Sequence, residues 1–349
     1  MEATKLERGA KPLRVAVVGA GAFGRNHLRV YRELEQAGAP VELSAVVDPN
    51  EATRSAATAK YNIPGFASIE QCLVACSLDA ASLCVPTVSH AHCARALMAA
   101  GIDLLIEKPI ASSLAEADEI VRLPRELGRT VQVGHLERFN PAVRAVRGLL
   151  NRPMFFEVHR LSVFTPRSLD VDVVLDLMIH DLDLVLSLVC SPVREVRAVG
   201  LPVLSPKVDI ANVRLEFENG CVANFTASRV STERVRKMRF FQPHQYLSLD
   251  FARQDLLLID VTAAAGLGPA QLTALASAAA LGGQPTPGMT LIKVPVQPGE
   301  PLRLEIESFL DAVRTHTQPL VTVDDGRAAL ALALQINETI ATHARRTGL

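Results

Sequence analysis

The chain has 349 residues, about two domains' worth, and 49% of them are hydrophobic, so packed cores are expected rather than disorder. A net charge of −1 excludes a general nucleic-acid surface, which needs a basic excess. With 12 Phe, 3 Tyr and no Trp, an aromatic stacking platform for sugars or single strands is disfavoured.

The elements alternate through the first third. Leu13–Val18 is a short apolar run ending in glycine, and a helical segment follows from about Phe23 to Gly38. Val41–Val47 is a second β-branched run closing at Asp48. Ser68–Cys76 reads as helix, Ala81–Val85 as strand, His90–Ala100 as helix and Ile102–Ile106 as strand. Leu114–Leu127 then reads as helix and Thr130–Val133 as strand. Short apolar strands between helices predict a doubly wound parallel sheet over residues 12–133, an α/β Rossmann domain.

The pattern changes at residue 134, and residues 134–349 predict an α+β domain with a large, mostly antiparallel open sheet. Met154–Leu161 reads as strand, and a long helix runs from about Asp172 to Val189, stopped by Pro192. Ala211–Glu218 and Cys221–Ser228 flank Asn219-Gly220, a hairpin signal in which both turn residues take positive φ. Further strands are expected at Lys237–Phe241, Tyr246–Phe251, Leu256–Val261 and Leu291–Val296, and helices at Leu304–Thr315 and Gly326–Arg345. Residues 262–290 form an Ala/Gly/Pro-rich excursion without visible chemistry.

Location follows from what is missing. Cys72, Cys76, Cys84, Cys93, Cys190 and Cys221 form no C-x-x-C pair, and several lie in apolar runs, as buried thiols of a cytoplasmic protein would. Met1 to Lys11 is polar, without a signal-peptide core. Val173–Val189 is the most apolar helical stretch, but Asp176, His180, Asp181 and Asp183 exclude a membrane span there. His90, His92 and Cys93 match no metal-ligand spacing, so no metal is assigned.

Gly19-Ala20-Gly21-Ala22-Phe23-Gly24 fits G-x-G-x-x-G between a strand and a helix. Gly19 permits the tight turn, Gly21 lets a pyrophosphate approach the backbone, and Gly24 lets helix and strand pack closely. Free N–H groups at the helix start favour an anion. Asp48, after the second strand, would accept from the adenosine ribose hydroxyls and repel a 2′-phosphate, favouring NAD over NADP. Arg54 lies close enough in sequence to keep NADP open.

Three more motifs narrow the reading. They are Glu107-Lys108-Pro109, the run Gly134-His135-Leu136-Glu137-Arg138-Phe139-Asn140-Pro141, and Asp176-Leu177-Met178-Ile179-His180-Asp181. With the fingerprint, they resemble the glucose–fructose oxidoreductase / inositol dehydrogenase family of two-domain NAD(P)-dependent sugar dehydrogenases. The wording is similar to the subgroup oxidising C3 of UDP-N-acetylglucosamine or its uronate. That resemblance implies a UDP-sugar substrate, a homodimer or homotetramer, and an aminotransferase acting on the 3-keto product in the synthesis of lipid A or a surface polysaccharide. It also implies a cis peptide before Pro109, and nicotinamide contacts from the segment carrying Pro86, Thr87 and His90.

The residue chemistry agrees. Asp176 and His180 are i and i+4, on one helix face. Histidine suits general-base work near neutrality, Asp176 can orient it, and Lys108 can polarise the reacting oxygen. A solvated pair is the plainer reading of Asp176/His180, and a surface lysine of Lys108. Gly19, Gly21, Ala22, Phe23, Gly24, Asp48, Pro86, Thr87, His90, Glu107 and Lys108 are the candidate NAD contacts. Arg138, Arg160 and Arg167 suit a diphosphate or carboxylate, with Asn140 and Tyr246 as further candidates, and salt bridges are the alternative use of each arginine. Another polyol or sugar dehydrogenase, inositol-type, and a non-catalytic NAD or sugar sensor on the same fold remain the rival readings.

Overall fold

A computed structural model describes residues 11–165, 171–271, 273–274, 277 and 288–348. The chain divides into two compact units, Met1–Phe139 with Glu300–Ala331, and Asn140–Gly299 with Leu332–Leu349.

The first unit runs β1 (Leu13–Val18), α1 (Gly24–Gln36), β2 (Val41–Val47), α2 (Glu51–Tyr61), β3 (Gly65–Phe66) and α3 (Ile69–Ala75). It continues with β4 (Ala80–Leu83), α4 (His90–Ala99), β5 (Asp103–Glu107), α5 (Leu114–Leu127) and β6 (Val131–Gly134). The six strands pair in parallel in the order β3-β2-β1-β4-β5-β6. Every residue of β4 and β5 is buried, which is why these strands read as apolar runs rather than alternations. The strand order reverses between β1 and β4, and the crevice beyond their carboxyl ends is where such sheets bind ligands.

One late helix completes this core. Leu302, Ile306, Phe309, Leu310 and Val313 of α8 (Pro301–Thr315) fall on one helical stripe and pack with Leu28, Tyr31 and Leu34 of α1. That burial explains why Glu300–Ala331 groups with the dinucleotide half.

The second unit begins with α6 (Pro141–Arg147), β7 (Phe155–Val163) and α7 (Ile179–Val189). It continues with β8 (Val193–Leu201), β9 (Ile210–Phe217), β10 (Val222–Ser231), β11 (Val235–Gln242), β12 (Gln245–Asp250), β13 (Asp255–Asp260) and β14 (Thr290–Val294). The eight strands lie in the order β14-β13-β12-β11-β7-β10-β9-β8, antiparallel except where β7 meets β10. Period-two alternation puts Phe156, Val158, Ala223, Phe225, Met238, Phe240, Leu247 and Leu249 on the buried face. The last helix, α9 (Val323–Thr347), changes unit after Ala331.

Two expectations change. The Asn219-Gly220 hairpin forms, but Gly220 alone takes positive φ, at 83°. Its N–H donates to the Phe217 carbonyl at 2.9 Å, and Asn219 Oδ1 accepts from the Cys221 N–H at 3.0 Å, so the loop is longer than two residues. The long helix expected from Asp172 is also not uniform. Val174–Met178 is a π turn, in which the Ile179 N–H reaches back five residues to the Val174 carbonyl. The Ala/Gly/Pro-rich excursion lies partly outside the described residues, and its described part includes a 3₁₀ turn at Thr262–Ala264.

Candidate active site

The glycine loop is shaped by clashes it avoids. A Cβ on Gly19, whose φ is 91°, would sit 2.6 Å from the Cys84 carbonyl oxygen, and one on Gly24 would sit 1.8 Å from the Gly19 carbonyl oxygen. A Cβ on Gly21 would meet nothing within 4 Å. Two glycines therefore serve the protein's own packing, and the third leaves open space. Gly21, Ala22 and Phe23 are exposed, and no side chain caps the start of α1. Its first N–H groups are thus presented to an anion.

Asp48 lies at the end of β2, where its Oδ2 accepts the Ala20 N–H at 2.8 Å and its Oδ1 the Asn50 N–H at 2.8 Å. The Arg54 guanidinium donates to the Asp48 carbonyl at 2.7 Å. This loop, helix start and carboxylate fit a dinucleotide: the loop N–H groups would hold the pyrophosphate and Asp48 the adenosine ribose.

Beyond β4, Pro86 is exposed and Thr87 half-buried in a short 3₁₀ turn. His90, by contrast, is buried. Its Nε2 faces the Val85 carbonyl at 3.0 Å, and its Nδ1 faces the Pro109 and Ile110 carbonyls at 3.0 and 3.3 Å. The ring braces the loop after β4 against the loop after β5. Burial pulls its pKa down, against the pull of the three carbonyls. The Lys108–Pro109 peptide is cis. Glu107 is buried, and its Oε2 accepts the Lys108 N–H at 3.3 Å.

In the second unit, Asp176 and His180 lie on either side of the π turn's end, both half-buried. The wide turn keeps four-residue neighbours close to one face while shifting their relative angle, a feature common at functional sites. Asp172 Oδ1 caps the turn, accepting the Val174 and Leu175 N–H groups at 2.9 Å. Just before it, the Val171 carbonyl accepts from Arg229, whose Nε lies 3.6 Å from Asp209. Asp209 in turn accepts the N–H groups of Val203, Leu204 and Ser205. Burial alone would raise its pKa, but these bonds outweigh it and hold the carboxyl at about 2.

Of the candidate substrate contacts in the second unit, Arg160 and Asn140 both reach Phe251. Arg160, on the buried face of β7, makes a two-pronged pair with Asp181 at 2.7 Å for each bond, and its guanidinium lies 5.8 Å from the centre of the Phe251 ring. Asn140 caps α6 through the Ala142 N–H and donates to the Phe251 carbonyl at 3.0 Å. Arg138, in the first unit, lies 3.4 Å from Asp325. Tyr246 pairs with Phe241 on the sheet face opposite Arg160, with ring centres 5.0 Å apart. Arg167 lies outside the described residues.

Sequence reasoning missed a buried group behind Glu107, namely His27, Ser82 and Tyr31. Its one signal is a histidine three residues after Gly24, on the turn of α1 that follows the glycine loop. Asp181 ties the helix that carries His180 to β7.

Comparison with known proteins places this geometry. Residues 13–135 match the model of an oxidoreductase family with an NAD-binding Rossmann fold, and residues 142–242 match the GFO/IDH/MocA C-terminal domain. The chain is 34% identical over 335 residues to a UDP-N-acetylglucosamine 3-dehydrogenase of Acidithiobacillus ferrooxidans, spanning 96% of this chain and 99% of that protein. A solved structure of that enzyme superposes with a TM-score of 0.83, covering 95% of this chain and 98% of the other. An inositol 2-dehydrogenase of Leifsonia xyli is 33% identical over 192 residues, 53% of this chain and 56% of that protein. The WlbA dehydrogenase from Bordetella pertussis, solved with NADH and UDP-GlcNAcA, shares the fold at 18% identity, with a TM-score of 0.74 over 95% of this chain and 97% of that one.

Proposed function

Because the chain belongs to the Gfo/Idh/MocA family of NAD-dependent oxidoreductases, we propose that it oxidises the C3 hydroxyl of UDP-N-acetylglucosamine to a ketone. The observation that carries this reading is the 34% identity, along nearly the whole chain, to a protein named for that activity. The inositol dehydrogenase likeness covers about half the chain and supports the chemistry rather than the substrate.

NAD, when bound, would supply the hydride acceptor for C3. The first unit would hold it through the Gly19–Gly24 loop and Asp48, with Ala22, Phe23, Pro86, Thr87 and Glu107 as further contacts. His180 takes the hydroxyl proton, and Asp176 orients the imidazole. Lys108 donates to the reacting oxygen as negative charge develops there. Arg138, Arg160 and Arg167 are the candidate donors for the diphosphate. A 3-keto sugar nucleotide is an electrophile suited to an aminotransferase, which places such an enzyme next in sequence, in 2,3-diamino sugar synthesis for lipid A or a surface polysaccharide. This reading has the protein act in the cytoplasm as a homodimer or homotetramer. Among the described residues no helix is long and apolar enough to cross a membrane.

The test is NADH formation by purified protein supplied with NAD and UDP-N-acetylglucosamine, its uronate or myo-inositol, with and without 2-oxoglutarate to recycle tightly held cofactor. Turnover of UDP-N-acetylglucosamine is expected. Turnover of the uronate alone would move the substrate, and turnover of inositol alone would reject the reading.

A further inference from the structure

Behind the Glu107–Lys108 junction, the first unit buries a continuous polar chain of which the reaction outlined above uses only Glu107. His27 on α1 is fully buried. Its Nε2 lies 2.9 Å from Glu107 Oε1 and its Nδ1 3.1 Å from Ser82 Oγ, which lies 2.8 Å from the Tyr31 hydroxyl. At the other end, Glu107 Oε2 accepts the Lys108 N–H.

From the phenol inward, one polarity satisfies every group. Tyr31 O–H donates to Ser82, Ser82 O–H donates to His27 Nδ1, and His27 Nε2–H donates to Glu107. Burial pushes the Tyr31 pKa up, which keeps that hydroxyl a donor. Glu107 is also hemmed in sterically, because a Cβ on Gly134 of β6 would lie 3.0 Å from its carboxylate. Without the His27 N–H, the buried Oε1 would lose its donor and the carboxylate its fixed orientation. The chain across α1 and β4 therefore ends on the carboxylate that accepts the Lys108 N–H.

We propose that His27, with its tautomer set by Ser82 and Tyr31, is a positioning residue for Lys108, acting through the Glu107 carboxylate. The proposal rests on the role given to Lys108 above. Small misplacements are costly at such a group, since a shift of about 1 Å can cost about 10²-fold in rate.

The test compares His27→Leu with His27→Gln in the NAD-loaded protein. Glutamine can still donate to Glu107 from near the Nε2 position, whereas leucine cannot. In His27→Leu, kcat is expected to fall by roughly 30-fold while KM for the sugar nucleotide moves by less than about threefold. The pH profile of kcat should shift in the leucine variant, and His27→Gln should restore most of both. A second readout needs no substrate: brief acetylation with acetic anhydride, quantified by mass spectrometry at each lysine. Lys108 should change its labelling rate several-fold, with Lys60 and Lys293 unchanged. Unaltered labelling and kcat in His27→Leu would overturn the proposal, as would equal changes at all three lysines. If the leucine variant does not fold, Ser82→Ala should move Lys108 labelling in the same direction, and no movement there overturns it too. Should the wild type turn over no sugar nucleotide, the labelling still decides the role of His27 while the substrate reading alone falls.

Discussion

Asp181→Asn is expected to destabilise the second unit and shift its chemistry little. The carboxylate makes two bonds of 2.7 Å to Arg160, and the two side chains are 3% and 5% exposed. Removing one partner of a buried pair costs about 3–5 kcal/mol, because the remaining charge loses its compensation. Asparagine keeps the shape and one acceptor, so the lower end applies, about 3 kcal/mol. That is roughly a hundredfold in the folding equilibrium at about 1.4 kcal/mol per tenfold. Urea unfolding followed by circular dichroism should show the midpoint falling by about 1 M, taking a slope of about 3 kcal/mol/M. Replacing both residues, Arg160→Met with Asp181→Leu, should recover most of the loss, as apolar replacements of buried pairs often do. A single-variant midpoint within about 0.2 M of wild type would refute the argument. Arg160→Met alone separates the roles: a raised KM for the sugar nucleotide in the folded enzyme marks a ligand contact beyond the pair.

Four other outcomes are expected. Gly21→Ala should leave the melting temperature nearly unchanged but weaken NADH binding at least tenfold, seen by fluorescence titration, since its Cβ fills the space a pyrophosphate would need. Gly24→Ala should compromise folding itself, because its Cβ would overlap the Gly19 carbonyl. His180→Asn should cut kcat by about 10²–10⁴-fold with NADH affinity intact, and full activity would reject the base assignment. Asp209, held at about 2 when folded against an ordinary 3.8, stabilises the protein above pH ~4 and loses that contribution as pH falls toward 2. Acid titration of Asp209→Asn should lack that part of the decline, worth at most about 2–3 kcal/mol at about 1.4 kcal/mol per pKa unit.

The dinucleotide half was legible because its strands are buried on both faces. Val15–Val18 and Ala45–Val47 are uninterrupted, buried apolar runs, and Leu114–Leu127 carries a serine cap before it and a left-handed Gly128 after it. Elements that bury little were not legible. The α2 helix, Glu51–Tyr61, hides only Ala57 and Tyr61 within an Ala/Thr/Ser-rich stretch, and β8 is a polar edge strand whose one fully covered residue is Gly200. The short α6 went unread although Asn140-Pro141 is a cap followed by a proline at the first helical position.

At the site, the glycine pattern, Asp48 and the Glu-Lys-Pro run were readable from local spacing, since each is a contiguous motif. Partnerships were not. The Arg160–Asp181 pair spans 21 residues, and the His27–Glu107 pair spans 80. Nothing in single-residue chemistry distinguishes an arginine awaiting a phosphate from one already paired in the fold.

The π turn at Val174–Met178 also constrains how this chain can vary. A turn closed over five residues rather than four is an α-helix carrying one extra residue. Deleting Leu177 or Met178 would let the helix relax to regular winding, and everything before the deletion would swing by about 100°, the angular step of one residue in an α-helix. Asp176 would then stand three residues from His180 instead of four, still a neighbour on the helix surface but on its other flank. Length in this five-residue stretch therefore sets the angle between the two side chains, which their identity alone does not.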